Sequence, residues 1–258
     1  MPFVEVNGRS VEYEWVGERA PGRPTLVFLH EGLGSIRQWR DFPQRVASAT
    51  ECTALVYARY GHGQSDVLQE PRTPAYMHDE ALRSLPELLA TLQIVAPVLV
   101  GHSDGASIAL IYAGAGHAVR GLVLEAPHVF VEEYGLEGIR AATRAFESTD
   151  LLQRLGRYHR DAKRMFRGWS DVWLSPEFRE WNIEASLPGI CCPVLAIQGA
   201  DDEYGTMAQL EAIARQVHGP CELLKLAGCG HTPHREQPDV TLAVVQRFIV
   251  SSGAMSRI

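Results

Sequence analysis

The chain has 258 residues, 46% of them hydrophobic and 21% charged, a globular composition long enough for a large core. A net charge of -7 without any basic run disfavours nucleic acid and anionic membrane as partners. No apolar stretch approaches the roughly 20 residues that cross a bilayer.

Residues 1–6 alternate weakly and lack the basic region and apolar run of a secretory signal, so a cytoplasmic protein is expected. Residues 11–15 alternate polar with apolar and predict an antiparallel strand. The run 25–29 (Thr-Leu-Val-Phe-Leu) is continuously apolar, as in a strand buried on both faces. Strands of the same kind are predicted at 53–57, 97–100, 122–124, 193–197 and 222–226. Helical patterns fall between them, at 36–48, 76–92, 104–115, 205–217 and 238–251. This alternation predicts a mostly parallel sheet flanked by helices, with ligands beyond the carboxyl ends of its strands. The stretch 128–187 has no strand pattern. Its helices are expected at 138–155 and 157–169, with Tyr158, Trp169, Trp173 and Trp181 among them. It reads as a helical cap (128–187) inserted into a core made of 1–127 and 188–258. Arg144, Arg154, Arg157, Arg160, Lys163, Arg164 and Arg167 make it basic, either as a solvated face or as a site for a substrate carboxylate.

The sharpest chemical signal is Gly101-His102-Ser103-Asp104-Gly105, a Gly-x-Ser-x-Gly pattern between an apolar strand and an apolar helix. Such a tight turn exposes the serine hydroxyl near a helix amino terminus that favours developing negative charge. A serine needs a base. His231, in Gly228-Cys229-Gly230-His231 after the last strand, is the candidate, with His234 as the alternative. The base needs an acid to hold its tautomer. The loop after strand 193–197 offers Asp201, Asp202 and Glu203; Asp202 is the candidate and Asp201 its rival. The order Ser103, Asp202, His231 is that of α/β-hydrolases. The N–H groups of Asp104 and of Gly32, in His30-Glu31-Gly32-Leu33-Gly34, are candidate donors to an oxyanion. That loop lacks the lysine of a phosphate-binding loop. No metal spacing and no flavin or nicotinamide fingerprint is visible, so no metal and no cofactor are expected. The five cysteines, Cys52, Cys191, Cys192, Cys221 and Cys229, are expected to be buried structural thiols in a reducing cytosol. No pattern specifies an oligomeric state.

Taken together these residues resemble the α/β-hydrolase superfamily over nearly the whole chain. Within it they are most similar to the valacyclovir hydrolase (biphenyl-hydrolase-like) family, on Ser103-Asp104-Gly105 with Ile108-Ala109-Leu110, Tyr134, Gly138-Ile139-Arg140, Trp169, the run 193–202, and His231 with His234-Arg235. The resemblance implies a serine esterase acting on a small molecule, with α-amino acid esters favoured and Asp104 binding the substrate ammonium. An acidic residue in the first turn of a helix also simply complements the helix dipole, so both readings of Asp104 stand. Glu31 sits where glycine is usual, and Tyr60, in Tyr60-Gly61-His62-Gly63-Gln64-Ser65, sits where arginine is usual. Glu125 and His128 end the strand before the cap and can face a substrate or be satisfied by backbone. The site expected at this point therefore also includes Glu31, Glu125, His128 and Trp169 as substrate contacts. Carbon–carbon bond hydrolysis of a ring-cleavage product, thioester, amide or lactone cleavage, and a non-catalytic receptor on the same scaffold are the alternative functions.

Overall fold

The computed structural model describes residues 1–18 and 22–251, so the final part of the expected core, 252–258, lies outside the described residues. Eight strands form one sheet: β1 (Phe3–Val6), β2 (Arg9–Val16), β3 (Thr25–Leu29), β4 (Thr53–Tyr57), β5 (Val98–His102), β6 (Gly121–Glu125), β7 (Val194–Gly199) and β8 (Cys221–Leu226). Their order is β1-β2-β4-β3-β5-β6-β7-β8. β1 and β2 pair antiparallel, β2 meets β4 antiparallel, and every pairing from β4 to β8 is parallel. β1 was not expected as a strand: its polar–apolar alternation is short, and two of its four side chains are exposed.

Period-2 alternation explains why the central strands are apolar throughout. Leu26 and Phe28 of β3 enter a cluster with Phe42, Val46, Val245, Phe248 and Ile249, beneath helices α1 (Phe42–Thr50) and α10 (Pro238–Ser251). Val27 and Leu29 enter the opposite cluster with Leu85, Leu88, Ile108, Leu110 and Ile213. That side is covered by α2 (Tyr76–Asp79), α3 (Leu85–Thr91), α4 (Asp104–Gly114) and α8 (Ala208–Gln216). Helices cover both faces, so both sets of side chains must be apolar. Between β6 and β7 lie α5 (Glu133–Ser148), α6 (Leu151–Leu155) and α7 (Ala162–Trp173); α9 (Pro233–Glu236) precedes α10. Ile139, Phe146, Phe166 and Trp169 of the inserted helices belong to the same apolar cluster as the sheet, which ties the insertion to the core.

Local backbone chemistry moved several helix boundaries. The pattern 36–48 splits into a 3-10 turn, Ile36–Trp39, and α1, because Arg40 takes φ +54 and Pro43 opens the new helix. Within 76–92 the segment Glu80–Ser84 is π-helical, just ahead of Pro86, which has no N–H for the ladder. The helix expected at 138–155 begins instead at Glu133 and breaks at Thr149, whose backbone is extended. The helix expected at 157–169 runs over Ala162–Trp173, capped by Asp161, whose carboxylate accepts the Arg164 N–H at 2.9 Å.

α4 crosses β3 so closely that a Cβ on Gly105 would lie 1.9 Å from the Leu29 carbonyl oxygen. Gly105→Ala is therefore expected to lose about 3 kcal/mol or more of stability in urea unfolding. A variant as stable as the wild type would contradict this close approach.

Candidate active site

The loops leaving the carboxyl ends of β3, β5, β6, β7 and β8 converge on one cavity of about 210 Å³. Ser103, His231, Glu31, Gly32, His102 and His128 line it from the sheet side, and Ile139, Trp169 and Trp173 from the inserted helices. Ser103 sits between β5 and α4 at φ +52, ψ -118, a conformation a side-chain-bearing residue adopts only under constraint. Its N–H donates to the Glu125 carbonyl at 2.8 Å and its carbonyl accepts from Ala106 N–H at 2.8 Å, which fixes the turn.

Asp202 and His231, 29 residues apart, meet through Asp202 Oδ1 and His231 Nδ1 at 2.8 Å. Asp202 is buried, and its carboxylate also accepts the Tyr204 N–H at 2.8 Å and the Gln198 amide at 3.1 Å. Burial alone would raise its pKa, but the His231 charge and hydrogen bond and the Tyr204 N–H outweigh burial and hold it below the usual value. The same balance acts on His231: burial lowers its pKa, and Asp202, by charge and hydrogen bond, carries it above the usual 6.5. With Nδ1 committed to Asp202, Nε2 is the nitrogen available to a reacting group. Ser103 Oγ and His231 Nε2 have no hydrogen-bond partner among the described residues, and both residues line the cavity. Such catalytic contacts commonly shorten only when substrate is bound. Asp201 is exposed and is held by its backbone, its N–H donating to the Cys229 carbonyl at 2.9 Å.

The expected substrate contacts divide. Glu31, His128 and Trp169 line the cavity, and the Trp169 indole packs directly on Gly32, where a Cβ would come within 2.3 Å of the ring. Burial, with the nearby His231, lowers the pKa of His128 to about 4, so it is neutral at pH 7. Burial raises the pKa of Glu31. Asp104 and Glu125 do not line the cavity. The Asp104 side chain is 2% exposed and turned away from the cavity: Tyr76 Oη donates to its Oδ2 at 2.7 Å, and Arg59 Nη1 lies 3.7 Å from the same oxygen. Glu125 is fully buried, with Oε2 bonded to the N–H of His234 at 3.1 Å and to its Nδ1 at 2.8 Å. This pair also removes His234 as a base: its ring is buried against Trp39 and Phe42.

Other lining groups were not among the expected site residues, although Trp173 stood among the aromatics of 128–187 and Glu203 among the carboxylates after strand 193–197. Trp173 lies four residues after Trp169, on the same face of α7, a spacing that could have revealed it. Glu203 and Tyr204 follow Asp202 directly and also face the cavity. Arg59, next to Tyr60 in the chain, is 1% exposed. None of the basic side chains of the insertion lines the cavity. Arg154, Arg160, Arg164 and Arg167 instead pair with Asp150, Asp66, Asp161 and Glu147 at the surface. Of the cysteines expected to be buried, Cys52 and Cys229 are, Cys192 and Cys221 are half-buried and Cys191 is exposed; Cys229 lies outside the cavity, and burial pushes its thiol up to about 11, which suits a structural role. No group of three or more His, Cys, Asp or Glu among the described residues can hold a metal ion, and no helix there is long and apolar enough to cross a membrane. A second cavity of about 220 Å³ is lined by Tyr57, Arg59, Arg72, Tyr76 and Glu80, but by neither Ser103 nor His231.

This arrangement provides a constrained hydroxyl, an imidazole paired with a carboxylate, and two N–H groups, of Gly32 and Asp104, that donate no hydrogen bond among the described residues. It suits acyl transfer. Known proteins agree at the level of fold and family. A 2-succinyl-6-hydroxy-2,4-cyclohexadiene-1-carboxylate synthase of Salmonella paratyphi A is 25% identical over 255 residues, covering 84% of this chain and 90% of its own. The enol-lactonase of Burkholderia xenovorans LB400 superposes with a TM-score of 0.75 at 21% identity, over 97% of this chain and all of that one. A thermophilic esterase of Thermogutta terrifontis gives 0.74 at 19% identity, over 96% and 98%. The model of the alpha/beta hydrolase family matches residues 26–244, from β3 into α10, and the chain belongs to that family.

Proposed function

We propose that the protein is a serine hydrolase that cleaves a small carboxylic ester through an acyl-enzyme. The observation that carries this reading is the Asp202–His231 pair, whose imidazole lines the same cavity as the constrained Ser103. Ser103 Oγ attacks the ester carbonyl while His231 Nε2 takes its proton. The N–H groups of Gly32 and Asp104 receive the oxyanion. The alcohol leaves with the proton returned by His231. Water, deprotonated by the same imidazole, then breaks the acyl–Oγ bond and frees the acid. The inserted helices act as a cap, with Trp169 and Trp173 closing the acyl site.

The charge of the cavity narrows the substrate. Glu31 and Glu203 line it, and no arginine or lysine among the described residues does. A substrate bearing its own carboxylate would have no counter-ion there, which disfavours both the chemistry named for the synthase relatives and hydrolysis of ring-cleavage keto acids. Neutral or cationic esters fit. For an α-amino acid ester, Glu31 and Glu203 would face the ammonium in place of Asp104. The test compares p-nitrophenyl butyrate with p-nitrophenyl hemisuccinate. kcat/KM is expected to be at least about tenfold lower for the anionic ester, and preference for the hemisuccinate would refute this substrate class. A receptor without catalysis would turn over neither ester.

A further inference from the structure

The environment of Asp104 assigns it a different role from the one its place beside the nucleophile suggests. Its carboxylate receives the Tyr76 hydroxyl at 2.7 Å, and Tyr76 Oη in turn accepts the Trp173 indole N–H at 2.9 Å. Arg59 Nη1 lies 3.7 Å from Asp104 Oδ2, and both side chains are almost completely buried. The other end of the Arg59 guanidinium holds a different loop: Nη2 donates to the His30 carbonyl at 3.0 Å and to the Glu31 carbonyl at 2.8 Å. The Arg59 N–H donates to His30 Nε2 at 3.0 Å, and His30 Nδ1 donates to the Glu31 carbonyl at 2.7 Å. Glu31 directly precedes Gly32. One buried cation thus grips the segment leading to one proposed oxyanion donor, Gly32, and the side chain of the residue that supplies the other, Asp104.

We infer that Asp104, Arg59 and Tyr76 form a positioning unit that keeps the Gly32 and Asp104 N–H groups in register for the oxyanion, with Trp173 tying the unit to the inserted helices. The inference rests on the reading of Ser103 as nucleophile. Oxyanion donors act only when aimed at the oxygen of the tetrahedral state, and small displacements are costly there. Disturbing the unit should therefore weaken binding of that state more than binding of the substrate. A carboxylate ligand for a substrate cation would behave otherwise, because its loss would matter for cationic esters alone.

The test uses the full chain and the variants Tyr76→Phe, Asp104→Asn and Arg59→Lys, with reactive sites counted by fluorophosphonate titration. On p-nitrophenyl butyrate, kcat per titrated site is expected to fall about fivefold in Tyr76→Phe and about tenfold or more in Asp104→Asn, with KM within about twofold of wild type. The affinity for phenylboronic acid, which forms a tetrahedral adduct on the serine oxygen, should fall by the same factor as kcat/KM. The double variant Tyr76→Phe/Asp104→Asn should lose less than the product of the single losses, since both act through one unit. Unchanged kcat and boronate affinity in folded Tyr76→Phe and Asp104→Asn would overturn the inference. So would a loss confined to KM for a valine ester with the butyrate ester unaffected. If Arg59→Lys does not fold, the other two variants decide. Failure of the wild type to be labelled at Ser103 would defeat the proposed function itself, and is read separately from the rates of the variants.

Discussion

Replacing Ser103 with alanine is expected to lower kcat for small aryl esters by about five to six orders of magnitude, with the melting temperature within a few degrees of wild type. The loss is this large because no acyl-enzyme forms without the hydroxyl, and only binding and oxyanion stabilisation remain to assist direct attack by water. The small change in stability follows from the backbone. The turn is held by the Ser103 N–H and carbonyl, which alanine retains, and the hydroxyl has no hydrogen-bond partner among the described residues to lose. Alanine must still adopt φ +52, as the serine does, so the strain is the same in both proteins. Residual activity above a few per cent would point to a different nucleophile.

Asp202→Asn is expected to lower kcat by about four orders of magnitude and to move the pH profile in a defined direction. In the wild type, burial lowers the His231 pKa and Asp202 more than offsets it, so the imidazole titrates above 6.5. The base must be neutral to take a proton. Wild-type kcat/KM should therefore be full at alkaline pH and decline as pH falls through a midpoint above 6.5. Without the Asp202 charge and hydrogen bond, burial is opposed only by the weaker pull of Glu203 and Glu31, so the midpoint should move to lower pH, with the remaining activity persisting into more acidic solution. The asparagine amide also favours the wrong imidazole tautomer, which is why the plateau falls as well. A profile whose midpoint stays in place would show that Asp202 is not what holds His231.

Much of the fold could be read from the chain because local chemistry dictates it. The apolar runs at 25–29 and 53–57 suit strands covered on both faces, and each is one; the run at 193–197 forms a strand shifted to Val194–Gly199. Gly101 and Gly105 bracket Ser103 because Cβ atoms there would strike the backbone of the crossing elements. The glycine-rich loop that carries His231 was equally plain. Side-chain direction was not. For Asp104, next to Ser103, the sequence left two readings open, substrate ligand or helix-dipole partner, and the partners that draw it inward are Tyr76, 28 residues away, and Arg59 on another strand end. Trp173 reaches Tyr76 across 97 residues. Glu125 was expected at the cleft and is instead claimed by His234, 109 residues on. Each of these is a tertiary pairing of buried polar groups, which must be satisfied somewhere but carry no periodicity that says where.

The most direct measurement is peptide mapping by mass spectrometry after reaction of the intact protein with a fluorophosphonate. A single adduct on Ser103, formed rapidly in the wild type and lost in His231→Gln, is the expected result. An adduct on Ser107 or Tyr204, or labelling of Ser103 at an undiminished rate in His231→Gln, would contradict the convergence of hydroxyl, imidazole and carboxylate on which the account stands.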